Sequence, residues 1–224
     1  MTRFSFFSIL ALALLALFST GQAQQHQIGV IGGLNFDDVT GTDPEGDKID
    51  VSTRTGFGIG GLLDLALSER VGLRFEPMFM EKGAKDEDDG EKITFKLRYL
   101  QLPLHLRLSG GNRNTRPFLM LGPAVGVKLS AKAIDKFNGQ TIEADYDNII
   151  SSINLTLDAG AGLDIRLEQV TLFLEGYYAL GISDIGQAGE VRVNGEPAEG
   201  TEDFEMKTRD FHVFVGFMIP LGGK

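Results

Sequence analysis

The side chains able to do acid–base chemistry are few in this chain, and their spacing is informative. The 224 residues include three histidines, His26, His105 and His212, and no cysteine. His212 lies two residues after Asp210, so both side chains project from the same face of a strand. A histidine beside a carboxylate activates a nucleophilic serine only when a third group is placed with precision. We therefore interpret His212 as a hydrogen-bonded interior histidine, and we predict no catalytic residue and no enzymatic activity.

An acidic run could bind a cation. The segment 86–90 reads Asp-Glu-Asp-Asp-Gly, but it lacks the alternating acids and the sixth-position glycine of an EF-hand loop. We predict no metal site and no cofactor. The absence of cysteine excludes disulfides, thiol chemistry and a lipid-anchored amino terminus.

Charges of both signs recur at the polar positions of stretches that otherwise alternate with apolar residues. Buried charges are tolerated only when they are paired and hydrogen-bonded. An eight-stranded barrel is just wide enough for side chains to fill its interior. We predict that one set forms a structural network of ion pairs that closes the lumen: Asp64, Arg74, Glu76, Asp158, Asp164, Arg166, Glu175 and His212.

The elements that position these residues follow from hydrophobic patterning with a period of two. From residue 153 to residue 167 every odd position is apolar, while the even positions are polar, charged or glycine. Soluble sandwich strands run about 5–6 residues, whereas barrel strands that cross a membrane need about 9–11. The length, together with one apolar and one polar face, favours a transmembrane barrel with its apolar face toward lipid.

Eight such strands are predicted along the chain, at about 26–36, 54–67, 71–80, 93–108, 117–130, 153–167, 170–180 and 206–221. The connections alternate between long ones (37–53, 81–92, 131–150 and 181–205) and short ones (68–70, 109–116 and 168–169). This asymmetry is typical of outer-membrane barrels. The predicted fold is all-β: an eight-stranded, antiparallel, up-and-down transmembrane β-barrel with short periplasmic turns, long extracellular loops and both termini on the short-turn side.

The fourth predicted strand changes its pattern along its length. Apolar residues occupy odd positions from Ile93 to Tyr99 and even positions from Leu100 to Leu108. A β-bulge near Tyr99 would restore a single apolar face. Alternatively, the first part of the strand stands above the membrane, where both faces are wet.

The first residues form a predicted signal peptide. Arg3 precedes an apolar run from Phe6 to Phe18, and Gly-Gln-Ala ends at Ala23. We predict cleavage after residue 23 and a single barrel domain over residues 24–224, located in the outer membrane.

The charges are distributed unevenly. The four long connections hold 23 of the 31 Asp and Glu residues and 7 of the 21 Lys and Arg residues. Two interpretations remain open: a solvated, repulsive surface, or a surface that binds divalent cations, an anionic lipid surface or a basic partner. The expected partners are outer-membrane lipid and, at the acidic loops, divalent cations. A nucleic-acid partner is not expected because no basic stripe is present, and we expect a monomer.

Four short motifs, in order, carry a resemblance to a known family. They are Tyr99-Leu100-Gln101-Leu102-Pro103-Leu104, Gly122-Pro123-Ala124-Val125-Gly126, Asp158-Ala159-Gly160-Ala161-Gly162 and the run 177–182. Together they resemble the strand motifs of the PorT-type outer-membrane β-barrel family. The resemblance implies a small closed barrel in the outer membrane of bacteroidete-type bacteria, usually without an assigned function. One relative takes part in protein secretion, but no motif here is specific to that role.

The sequence thus predicts an integral outer-membrane protein that acts through acidic surface loops or as a structural part of the envelope. Two alternatives remain open. A periplasmic lipocalin-like carrier would have an apolar interior and a polar exterior, contrary to the pattern described above. An outer-membrane enzyme would need an accessible polar cluster.

Overall fold

A computed structural model of the chain describes residues 26–42, 48–50, 52–88, 91–112, 114–137, 140–193, 196–201 and 205–221. The predicted signal peptide lies outside these residues. No described residue is helical, so the described part of the chain contains no helix that could cross a membrane.

All described strands belong to one antiparallel sheet. They are β1 (Gln27–Thr42), β2 (Lys48–Asp50), β3 (Ser52–Ala66), β4 (Val71–Phe75), β5 (Met78–Asp88), β6 (Glu91–Ser109), β7 (Thr115–Phe137), β8 (Gln140–Asp145), β9 (Ile153–Arg166), β10 (Thr171–Gly181), β11 (Gly189–Val193), β12 (Glu196–Thr201) and β13 (Glu205–Pro220).

The sheet closes on itself as an eight-stranded barrel, which confirms the predicted fold class. Its order is β1–β3–β4/β5–β6–β7–β9–β10–β13, and β13 pairs with β1 from Gln27↔Pro220 to Thr42↔Glu205. β4 and β5 act as one barrel strand interrupted at Glu76 and Pro77, because both pair with β3 on one side and with β6 on the other. Proline lacks the N–H that a continuous ladder requires.

The two ends of the barrel differ. At the short-turn end, residues 67–70, 110–114 and 167–170 join neighbouring strands. At the hairpin end, β5–β6 and β7–β8 form extended hairpins, and β11–β12 adds another that pairs with β8. Much of what patterning predicted as long loops is therefore strand. Residues 81–88 have no apolar side chain other than Ala84, so they show no alternation from which a strand could be predicted.

The pattern change in the fourth predicted strand has a different origin from a bulge within that strand. In β6, Leu97, Tyr99, Gln101 and His105 are all buried, so the odd positions face inward from Leu97 to Arg107. What changes along β6 is which of its two faces carries the apolar side chains. The register shift near Tyr99 lies in β7 instead: Arg98 pairs with Ser130 and Tyr99 with Lys128, which leaves an extra residue at position 129.

The bulge exchanges the inward-facing and outward-facing positions of β7. Leu129 is 55 % exposed on the outer face, whereas Ala131, two residues later, is completely buried. Without an inserted residue, both would lie on one face of the strand. On the hairpin side of the bulge, Leu97 and Ala131 face inward beside the buried cation Lys82, which lies opposite Leu97 in the β5–β6 register.

Candidate functional site in the barrel interior

Arg74 on β4 is the centre of a charged network near the short-turn end of the lumen. It is completely buried. Its Nη2 lies 2.8 Å from Asp64 Oδ2, and its Nη1 lies 2.5 Å from Glu175 Oε2. Glu76 and Asp164 follow at 3.6 and 3.9 Å. One guanidinium thus joins carboxylates from β3, β9, β10 and the β4–β5 junction, and it ties opposite walls of the barrel together.

A second arginine extends this network. Arg107 on β6 donates to Asp64 and, over 2.7 Å, to Asp164 Oδ2. Its guanidinium carbon lies 3.9 Å from the ring centroid of Phe118, over which Arg74 also lies at 5.2 Å. The Phe118 ring therefore makes cation–π contacts with both guanidiniums, and such contacts are favourable in a site without bulk water.

A histidine layer lies next to the arginine network. His105 Nε2 is 3.1 Å from Asp158 Oδ2, and its Nδ1 is 3.5 Å from Glu76 Oε2. The His105 ring meets Tyr177 edge-on at 5.3 Å, and Tyr177 lies 4.7 Å from His212. His212 stacks on Phe214 at 5.7 Å. These rings fill the cross-section of the lumen, and they leave His212 as a packing residue rather than an accessible base.

Toward the hairpin end a third group of charges spans the lumen. Lys82 Nζ on β5 lies 2.6 Å from Asp210 Oδ2 on β13, and both side chains are buried. Asp37 accepts hydrogen bonds from the Asn35 amide at 2.7 Å and from the Gly83 backbone N–H at 3.2 Å. Lys82 and Asp210 come from strands three apart in the ring, so this pair also joins non-adjacent strands through the interior.

Seven of the eight predicted lumen residues lie inside the barrel. Six carboxylates and cations form the networks described above, and His212 packs within the aromatic layer. Arg166 is the correction: it lies exposed at the short-turn end, outside these networks. Strand parity correctly identified its inward face, but parity does not report depth, and Arg166 is the last residue of β9.

Several interior charges were not predicted from the sequence. Arg107 shares odd parity on β6 with His105, so the signal was present. Asp37 and Lys82 fall in segments that were assigned to loops, so their positions in the strands were missed. Asp210 was noted only as a neighbour of His212, although it is the partner of Lys82.

On the hairpin side of the bulge, the buried hydrophobic cluster of the barrel interior continues into the hairpins and the connections beside them. Its members there are Leu97, Tyr99, Ala131, Ile149, Ile150 and Val191, with Ala144, Tyr146 and Met206 packed against it. Tyr146 meets Phe95 edge-on at 5.5 Å, and burial raises the pKa of the Tyr146 hydroxyl. Backbone bonds hold the connections in place, with Ser151 N donating to Ile185 O at 2.7 Å and Ile185 N to Met206 O at 2.9 Å. We call this group the hairpin core.

The outer wall of the barrel is apolar up to a row of phenylalanine residues on β13, β1, β3 and β5, which we call the aromatic ring. Leu119, Leu174, Val215 and Phe217 are about half exposed on this wall. The Phe36 and Phe211 rings stack at 6.4 Å, and Phe57 lies 6.1 Å from Phe79. Beyond them the outward residues of β13 are Arg209, Lys207 and Glu205. An apolar band bounded by aromatic rings is typical of a wall in contact with lipid.

Buried side chains close the middle of the lumen. Among the described residues, no group of three or more potential ligands is arranged to hold a metal ion. The segment 86–90 lies partly outside the described residues, so its interpretation as an acidic surface run stays a prediction. Large side chains such as Arg74, Tyr99, Phe214 and Met218 are completely buried along the lumen.

Comparisons with known proteins agree with this architecture. A family model described as "Outer membrane protein beta-barrel domain" matches residues 22–187. Among solved structures, the attachment invasion locus protein Ail of Yersinia pestis is 15% identical, with 87% of this chain and 99% of that chain covered and a TM-score of 0.42. Neisserial surface protein A is 11% identical, with 88% and 97% covered and a TM-score of 0.44.

A third similar structure is the outer membrane protease OmpT of Escherichia coli. It is 8% identical, with 90% of this chain and 99% of that chain covered and a TM-score of 0.38. No curated protein matches this sequence significantly.

Proposed function

Since this chain belongs to the outer membrane protein β-barrel domain family, we propose that it acts at the cell surface, where its hairpin end presents a preformed acidic platform to a basic partner or to divalent cations that bridge to anionic lipid. The observation that carries this proposal is the hairpin core. Segments that merely connect membrane strands have no need of a buried apolar cluster. Ordering them in advance lowers the entropy cost of binding a partner.

The outward orientation of the hairpin end is supported by length and charge. The short turns at the other end are typical of the periplasmic side of outer-membrane barrels. Most acidic residues of the sequence fall in the four segments at the hairpin end. As partners of this surface, we propose divalent cations that bridge it to phosphorylated lipids. A structural role in the envelope is the second candidate, favoured by the ion pairs and aromatic side chains that fill the middle of the lumen.

The finer family assignment is also a proposal. The four motifs from Tyr99 to Ile182 support membership of the PorT-type group within the wider family. We further propose that residues 1–23 are removed as a signal peptide, that the barrel is a monomer and that it is not an enzyme. The packing of His105 and His212 supports the last point, because each ring is buried between other interior side chains.

Surface labelling of intact cells tests the orientation. An epitope tag inserted near Gly195, between β11 and β12, should be labelled by antibody on intact cells. A matched tag near Asn112, in the short turn between β6 and β7, should be labelled only after the outer membrane is permeabilised. The reverse pattern would overturn the proposed orientation and, with it, the platform.

Conductance tests the closed lumen. The purified protein in a planar lipid bilayer should show no stable porin-like current, because ion pairs and aromatic rings occupy the lumen. Steady large currents from the wild-type protein would contradict a function confined to the surface.

A further inference from the structure

The short-turn end of the barrel opens into a cavity of about 1080 Å³. Residues from all three short turns and from the ends of β1, β7, β9 and β10 line it. Three arginines are among them, Arg70, Arg116 and Arg166, together with the turn carboxylates Glu69 and Glu168. The volume is close to that of pockets that hold small ligands, about 300–1,000 Å³. This end of the molecule is distant from the hairpin core on which the proposed function rests.

Two of these arginines project from neighbouring strands toward the same space. Arg116 shares the inward face of β7 with the buried Phe118, and Arg166 shares the inward face of β9 with Asp164. In the β7–β9 register Arg116 lies directly opposite Asp164, so Arg166 is its diagonal neighbour. Side chains in such diagonal positions are within reach of one another when they are long.

The carboxylate nearest to this pair along the strands is already engaged. Asp164 Oδ2 accepts a hydrogen bond from Arg107 at 2.7 Å. Among the residues that the structure describes, no carboxylate lies within ion-pairing distance of the Arg116 or Arg166 guanidinium. The deeper arginines, Arg74 and Arg107, each contact two or more carboxylates. The mouth of the cavity therefore differs from the interior, because Arg116 and Arg166 have no described carboxylate at ion-pairing distance.

Two further contacts give the cavity a defined wall. Arg116 donates to the backbone carbonyl of Glu69, which ties β7 to the turn between β3 and β4. Gln27 donates to Thr171 Oγ1 at 3.0 Å, which links β1 to β10 past the intervening strand β13. Beneath them the buried Nε of Arg107 donates no hydrogen bond to any described residue. A polar floor under two guanidiniums favours an anion with several acceptor oxygens.

We propose that this cavity binds a phosphate group that enters from the aqueous side of the short-turn end. Guanidiniums bind phosphate through paired N–H donors, with a planar geometry that a single lysine cannot supply. Two guanidiniums on adjacent strands can hold different oxygens of one phosphate or diphosphate. The group can belong to a soluble phosphorylated molecule or to the headgroup of a membrane phospholipid, since both present the same oxygens.

Titration with inorganic pyrophosphate tests the site. The mature protein, refolded in zwitterionic micelles, should bind pyrophosphate in isothermal titration calorimetry. Arg166→Gln and Arg116→Gln should each weaken binding about tenfold, because each removes charge-assisted hydrogen bonds. Arg98→Gln is the matched control, since Arg98 lies on the outer wall toward the other end and should leave affinity unchanged.

Arg166 is exposed, so its variant should fold even if the Arg116 variant does not, and heat-modifiable migration in gel electrophoresis verifies folding of each. No binding by the wild-type protein, or an equal loss in the Arg98 variant, would overturn the proposal. Repeating the titration in phosphatidylcholine nanodiscs with and without phosphatidylglycerol distinguishes the sources. Weaker pyrophosphate binding with phosphatidylglycerol supports a lipid headgroup, and unchanged binding supports a soluble phosphate.

Discussion

The polarity of the inward and outward side chains of the barrel wall differs between the two sides of Leu129. Below this level, toward the short turns, the outward side chains are apolar and the inward ones include the ion pairs of Arg74, Arg107 and His105. On the hairpin side, the inward residues include the apolar hairpin core beside the buried Lys82, and the outward residues include Arg98 and Lys207. β6 runs through both regions without changing which positions face inward.

This comparison shows that the surroundings of a strand, rather than its geometry, determine which face is apolar. In lipid the outward face must be apolar, so charged groups are confined to the interior, where they must satisfy one another. In water the hydrophobic effect applies to the interior instead. A single strand can pass from one regime to the other, and its sequence pattern then appears to slip by one residue although its backbone does not.

The largest expected effect lies in the charged interior. Arg74→Met should destabilise the folded barrel by about 3–5 kcal/mol, because it leaves several buried carboxylates without their cation. Arg98→Met on the outer wall removes a partly exposed pair with Glu81 and should cost about 1 kcal/mol or less. Urea-dependent refolding into lipid vesicles measures both. Equal losses would mean that the lumen charges are hydrated, and the distinction between the two regions would fail.

The lipid-facing wall gives the next largest effect. Val215 and Lys207 both point outward from β13, below and above the aromatic ring. Val215→Arg should cost about 2–4 kcal/mol near the bilayer midplane. Lys207→Leu should change stability by about 0.5 kcal/mol or less, because its surroundings are aqueous. If both variants refold like the wild type in the same vesicle assay, the assigned position of the lipid band is wrong.

A smaller effect should appear on the two sides of the bulge itself. Ala131→Lys forces a long cation into the hairpin core and should cost about 1–3 kcal/mol. Leu129→Lys places the same side chain outside, near the edge of the lipid band, where about 0–1 kcal/mol is expected. Limited proteolysis of the hairpin end, read alongside refolding, should detect loosening only in the Ala131 variant. Similar sensitivity at both positions would contradict the bulge.

Much of the membrane-spanning fold could be predicted from the sequence, because a period of two over ten or more residues identifies both a strand and its faces. The eight strands and the inward positions of Asp64, Arg74, Asp158 and Glu175 follow from this alone. Depth does not, because every second residue of a strand satisfies the same parity. Arg166 was therefore grouped with residues far deeper in the lumen.

The hairpin end could be predicted less well. Its segments carry many acids, and a charged segment resembles a loop when the outward face of a strand is in water. The apolar members of the hairpin core, such as Ile149, Ile150 and Val191, come from separate segments that lie far apart in the sequence. Only the folded chain brings them into one cluster, so no local pattern could indicate it.

The pairing of β1 with β13 also has a consequence for how the molecule is made. The two strands that close the ring, β1 and β13, are neighbours in space but far apart in the sequence, since Gln27 pairs with Pro220. Contacts between residues so distant in sequence slow folding, because the entropy of closing the loop is lost before the contacts form. Until the last strand arrives, β1 exposes an unpaired edge that could pair with another chain. Assembly should therefore be late and cooperative, and truncation within β13 should leave an aggregation-prone open sheet rather than a slightly weaker barrel.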